Sequence, residues 1–116
     1  MKVYVPKVNS DGGFELNSRY KEILRLHYML DKERIPHYLR RNFDGWQITY
    51  PCFPPPDEKI VVSVIEHYGS YGQSDDKLEI MGLLTLDEEE YDTVAGWLTA
   101  EDVFARIQKH WRENNV

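Results

Sequence analysis

The sequence predicts an α+β domain: an antiparallel sheet of about four strands, with two main helices near 18–34 and 99–113 packed on one face. Three observations carry that expectation. Apolar residues recur at helical spacing in two segments, first Tyr20, Ile23, Leu24, His27 and Leu30, then Val103, Phe104, Ile107 and Trp111. Asp44-Gly45 lies between two strand-like runs, the pattern of a hairpin. Two more apolar runs, 60–67 and 78–84, are joined by a short polar loop, which favours antiparallel neighbours.

Taken in order, Val3, Val5 and Val8 alternate around Pro6, so residues 1–16 read as an edge strand or a loose arm. Ser10-Asp11-Gly12-Gly13 is a turn, and Asn17 or Ser18 caps the first helix. Lys21, Arg25 and Lys32 lie off that helix's apolar stripe, and Pro36 ends it by removing a donor and restricting Ile35. Strands His37–Phe43 and Trp46–Tyr50 follow. Parity places Leu39, Arg41 and Phe43 on one face with Trp46, Ile48 and Tyr50, leaving Arg41 as a charge among apolar neighbours. Pro51-Cys52-Phe53-Pro54-Pro55-Pro56 is a stiff connector. Ile60–Ile65 is apolar on both faces, as a central strand is. Leu78–Leu84 carries Leu78, Ile80 and Leu84 on one face and Glu79, Met81 and Leu83 on the other. Thr85 with Glu88 marks a capping box for a short acidic turn, and Asp92–Gly96 reads as a loop. Thr99 opens the last helix, with acids in its first turn and Arg106, Lys109 and Arg112 toward its end, as the helix dipole favours.

The bulk numbers bound the function. A chain of 116 residues holds one core and therefore one domain, 1–116. Cys52 is the only cysteine, which excludes an internal disulfide and a cysteine-built zinc site. With no long apolar run and no signal-peptide pattern, the expected setting is the cytoplasm, without a membrane. The formal net charge of −6 argues against direct nucleic-acid binding, which draws on basic residues to neutralise phosphates. Charge is segregated: residues 19–41 hold seven basic and three acidic side chains, whereas 75–102 holds ten acidic and one basic. That asymmetry suits attraction within the fold, a homo-oligomer, or an acidic face that meets a basic partner.

The polar rim of the 61–84 block is the candidate site. Glu66, His67 and Tyr68 end one strand, Glu79 begins the next, and Tyr71 lies in the loop between them. Arg41 reads as a snorkelling stem with its head at the sheet edge or, if buried, as a cation paired with Glu66 or Glu79, carboxylates that otherwise cap loop amides. Glu66, His67 and Glu79 together would suit a divalent metal or general acid–base work. A nuclease of the restriction-endonuclease type needs Glu-x-Lys, and Glu66-His67-Tyr68 lacks the lysine. Gly69-Ser70-Tyr71-Gly72 opens no helix, so it lacks the setting of a phosphate loop. No cofactor is implied. His27 and His110 fall on helices and read as packing.

Asp44-Gly45-Trp46-Gln47-Ile48 with Tyr50-Pro51, and Ser63-Val64-Ile65-Glu66-His67 with Gly69-Ser70-Tyr71-Gly72, resemble small uncharacterised proteins of Firmicute phages and prophages. So do Leu78–Thr85 and Leu98–Phe104, and the likeness runs from about Tyr20 to Trp111. It implies a phage-encoded protein in the cytoplasm of a bacterial host, and it supplies neither an activity nor catalytic residues.

The leading functional expectation is a non-catalytic, phage-type accessory protein. It would bind a protein or small ligand through the 66–79 region, at Arg41, Glu66, His67, Tyr68, Tyr71 and Glu79. The acidic 75–92 stretch would mimic phosphate if that partner itself binds nucleic acid. The alternatives are a small metal-dependent hydrolase or nuclease using Glu66, His67 and Glu79, and a self-associating structural subunit.

Overall fold

A computed structural model describes residues 19–52 and 59–114. The 1–16 arm, the Asn17 or Ser18 cap and the 53–56 part of the proline connector lie outside the described residues.

Helix α1 (Lys21–Lys32) buries the expected stripe of Ile23, Leu24, His27 and Leu30, with Tyr20 just ahead of it, and leaves Lys21, Arg25 and Lys32 exposed. It stops before Pro36 is reached. Arg34 turns left-handed (φ 56°), and the Ile35 amide donates to the Leu30 carbonyl at 3.0 Å, closing the helix end.

Strands β1 (Tyr38–Asn42), β2 (Gly45–Tyr50), β3 (Val62–Glu66), β4 (Leu78–Met81) and β5 (Ala95–Leu98) form one antiparallel meander in that order. The fold is thus α+β, with five strands where about four were expected and with β3 at the centre. The added strand is β5, in the region read as a loop. Gly96 interrupts it, Trp97 has φ of 57°, and its register on β4 is broken between Leu78 and Ile80. Such a short, bulged edge has no period-2 apolar signature to find.

One sheet face is buried and, apart from Glu66, apolar. Leu39, Trp46, Ile48, Tyr50, Val62, Val64, Leu78 and Ile80 are all buried there, and α1 packs over β2 and β3. Helix α3 (Ala100–Asn114) lies against α1 and buries Ala100, Val103 and Ile107 in the same core. The opposite face carries a polar row in which Arg40 donates to Gln47 and Gln47 to Ser63. A one-sided sheet of this kind is common among antiparallel folds.

Helix α2 (Leu86–Tyr91) begins with the expected capping box: Thr85 Oγ1 accepts from the Glu88 amide, and Glu88 Oε1 accepts from the Thr85 amide. Arg106 of α3 then grips Glu88 through both guanidinium nitrogens, at 2.7 and 2.9 Å. Arg25 joins α1 to α3 by pairing with both Glu22 and Glu101. Arg25–Glu101 thus links the basic 19–41 region to the acidic 75–102 region inside the fold. Among the described residues no helix is long and apolar enough to cross a membrane.

Candidate functional site

The 66–78 loop is tied down along its length. The Ser70 amide donates to the His67 carbonyl, and the His67 amide donates to Ser70 Oγ. The Gly69 amide donates to His67 Nδ1 at 3.0 Å, which fixes the neutral ring as the Nε2–H tautomer. Gly72 (φ 95°) and Asp76 (φ 53°) bracket a 3₁₀ turn at Gln73–Asp75.

Its carboxylates serve helix starts. Asp76 Oδ1 accepts from the Lys21 and Glu22 amides at 2.9 and 3.1 Å, and Glu66 Oε1 accepts from the Ile23 amide at 3.1 Å. Both thus occupy the donor-rich first turn of α1. Glu22 does the same for α3, accepting from the Ala100 amide at 2.6 Å. Glu66 is fully buried, and burial, reinforced by the neighbouring Asp76 carboxylate, pushes its pKa up to about 9. The group is therefore a neutral acid at physiological pH. Asp44 latches the β1–β2 tip to both neighbours: Oδ2 accepts from the Tyr20 hydroxyl at 2.5 Å and Oδ1 from the Tyr68 amide at 2.9 Å. The Tyr20 bond holds its carboxyl below the usual carboxylate range.

This arrangement corrects the shared Glu66–Glu79 centre and, for Arg41, agrees with the snorkelling reading rather than the buried one. Ile65, not Glu66, stands opposite Glu79 in the β3–β4 register, so the two glutamates point to opposite sheet faces. Glu66 lies under α1, whereas Glu79 sits on the open face and accepts from the Tyr71 amide at 2.8 Å. Glu66, His67 and Glu79 accordingly form no common metal or acid–base centre. Arg41, exposed rather than buried, lies over the Trp46 ring at 4.5 Å from its centroid and reaches the Asp44 carbonyl. Its partner is an aromatic face, not Glu66 or Glu79.

The loop end of the sheet instead carries two aromatic pairs. Phe43 is 69% exposed and packs against His67 (4.9 Å between ring centroids) and edge-on to the exposed Tyr68 (5.6 Å). Tyr71 and Trp97, 52% and 58% exposed, stack at 5.9 Å with an 18° interplanar angle. Gly96 makes the second pair possible, since a Cβ there would stand 2.4 Å from the Tyr71 Cβ. Both Phe43 and Trp97 occupy left-handed backbone, at φ of 55° and 57°. Asp44-Gly45 was expected as the link between β1 and β2. The register pairs Asn42 with Gly45, which leaves Phe43 and Asp44 as the loop. Phe43 and Trp97 were invisible as site residues, because one read as the end of a strand and the other as part of a loop-to-helix junction.

A second grouping passed unnoticed in the sequence. His27 and Asp31 lie one turn apart on α1, and His37 returns beside them after Pro36. The signal was the His-x3-Asp spacing followed by a histidine just beyond the helix stop. A surface groove of about 350 Å³, lined by Leu83, Leu84, Thr85, Arg106, Lys109, His110 and Glu113, includes none of the expected site residues.

No family model, curated protein or solved structure matches this chain.

Proposed function

We propose that this chain is a non-catalytic, phage-type binding module that engages a protein partner through the aromatic rim of Phe43, Tyr68, Tyr71 and Trp97. The reading sets it in the cytoplasm of a bacterial host. The observation that carries it is the conformation of Phe43 and Trp97. Left-handed backbone costs a residue with a Cβ roughly 1–2 kcal/mol, and glycine or asparagine relieves that cost. Here two large aromatics occupy such positions and yet stand more than half exposed, where their burial returns little to folding. Strained, solvent-facing aromatics point to recognition. Rings this open do not wall a small-molecule cavity, which encloses most of its ligand; a macromolecular surface suits them better.

Catalysis is the weaker reading, because Glu66 Oε1 and Asp76 Oδ1 are taken up by helix amides, His67 Nδ1 by the Gly69 amide, and Glu66 is sealed from solvent. Phosphate mimicry by the 75–92 stretch is weakened in the same way, since Asp76, Glu79 and Glu88 are engaged inside the fold.

The test is affinity capture from a bacterial host lysate with three immobilised full chains: wild type, the double variant Phe43→Asn/Trp97→Asn, and Leu86→Ser, an exposed site on α2. The reading expects a protein retained by wild type and Leu86→Ser and lost from the double variant. Equal retention by all three, or by none, overturns it.

A further inference from the structure

We infer that His27, Asp31 and His37 form a binding site for a divalent transition metal of the zinc class, placed where α1 hands the chain to β1. One donor atom from each lies within 4.8 Å of the others. The hydrogen positions decide which ring nitrogens carry lone pairs. His37 Nδ1 stands 2.7 Å from the Ile35 carbonyl, which only accepts, so Nδ1 carries the hydrogen and Nε2 of the neutral ring is a lone pair. That lone pair faces His27 Nδ1 at 2.9 Å, so His27 Nδ1 must be the donor there. In the neutral ring His27 Nε2 is then a lone pair as well. It is buried, makes no hydrogen bond, and has Asp31 Oδ2 only 3.3 Å away. Two acceptors at that distance repel unless a cation lies between or beside them. Asp31 Oδ1 also approaches His37 Nε2, at 3.5 Å.

A metal on His27 Nε2, an Asp31 carboxylate oxygen and His37 Nε2 would take up these lone pairs together, the His27 Nδ1 hydrogen giving up His37 Nε2 as its acceptor. At a metal–ligand distance of about 2.1 Å, donors at right angles sit about 3.0 Å apart and tetrahedral donors about 3.4 Å. With His27 Nε2 as the ligand, the separations of 3.3 Å to Asp31 Oδ2 and of 3.5 Å from Asp31 Oδ1 to His37 Nε2 fall near the tetrahedral value. The Ile35 carbonyl plays the outer role that orients a ligating imidazole and fixes its tautomer. Two imidazoles and one carboxylate select zinc-class ions over calcium or magnesium, which prefer oxygen donors. The imidazoles are 2% and 4% exposed, whereas Asp31 is 53% exposed, so the site is walled on the core side and open to solvent on the other. An ion held there would staple the end of α1 to the segment entering β1. Both histidines belong to this constellation and neither belongs to the aromatic rim, so the site stands independently of the binding reading above.

The experiment titrates chelator-treated full chain with Zn²⁺ by calorimetry and with Co²⁺ by visible absorption. It compares wild type, Asp31→Asn, His37→Gln and Cys52→Ser, the last to exclude the thiol. Asp31 is exposed, so its variant reports on binding without disturbing the core, and circular dichroism without metal checks the fold of each. The expected result is one equivalent bound by wild type and Cys52→Ser, binding weakened more than about tenfold by Asp31→Asn, and none in His37→Gln. Absence of stoichiometric binding in wild type, or full binding retained by Asp31→Asn, overturns the assignment. If His37→Gln fails to fold, the Asp31→Asn comparison decides alone.

Discussion

Glu66 reaches from the end of the central strand to the first turn of α1, where its Oε1 accepts the Ile23 amide hydrogen at 3.1 Å. The contact joins sheet to helix inside the core, and it does so with a carboxyl group held neutral by burial and by Asp76. The proton has a thermodynamic consequence. An unfolded glutamate releases it near pH 4.5 and the folded one near pH 9, so folding takes up a proton across that interval. Stability from this group is therefore full below about pH 4.5 and declines as pH rises through about 9. Glu66→Gln keeps the acceptor for Ile23 and cannot ionise. Denaturation across pH 5–9 should show it more stable than wild type by about 1–3 kcal/mol at pH 7, with the decline flattened. A variant that is less stable at pH 7, or that keeps the wild-type slope, contradicts this role.

Gly45 is needed for space rather than for turn conformation. A Cβ there would stand 1.9 Å from the Glu66 carbonyl oxygen, part of the backbone of a central strand that cannot move aside. Gly45→Ala should cost more than about 3 kcal/mol in urea unfolding, in the range of severe core overpacking. A loss below about 1 kcal/mol would show that β1 and β2 can shift away from β3.

The Glu88–Arg106 pair has the opposite pH sign to Glu66. The two bonds from Arg106 hold the Glu88 carboxyl down to about 2, so its stabilisation is present above the unfolded value of 4.5 and lost as pH falls through about 2. Both side chains are partly exposed, and solvent screening reduces the contribution to about 1–2 kcal/mol. Arg106→Gln should destabilise by that amount at pH 7 and progressively less toward pH 2. Thermal melts at pH 7 and pH 2.5 provide the comparison, and an equal loss at both would assign the effect to packing of the arginine stem instead.

The parts legible in the sequence were those with a repeating physical signature. The stripe of Ile23, Leu24, His27 and Leu30 marked α1, the two-faced apolar run at 60–65 marked a central strand, and Thr85 with Glu88 marked a capped turn. Strand β5 escaped because four residues containing Gly96 and a left-handed Trp97 carry no period. The site was harder to read for a different reason. Whether Glu66 meets Glu79 depends on a register of one residue, and pairing Ile65 with Glu79 sends the carboxylates to opposite faces. The destination of each carboxylate was hidden too, since Asp76 and Glu66 cap a helix that begins more than 40 residues earlier. Sequence places an acid on a strand end; only the fold shows which amides it answers.

The binding reading rests on Phe43 and Trp97 serving something other than folding, and equilibrium unfolding of Phe43→Asn/Trp97→Asn measures that directly. Asparagine tolerates left-handed backbone, so relief of roughly 1–2 kcal/mol per site should offset the lost ring contacts of about 0.5–1.5 kcal/mol each. The expected result is a double variant at least as stable as wild type. A loss of more than about 2 kcal/mol would make the two rings part of the folding core and remove the observation on which the proposed function stands.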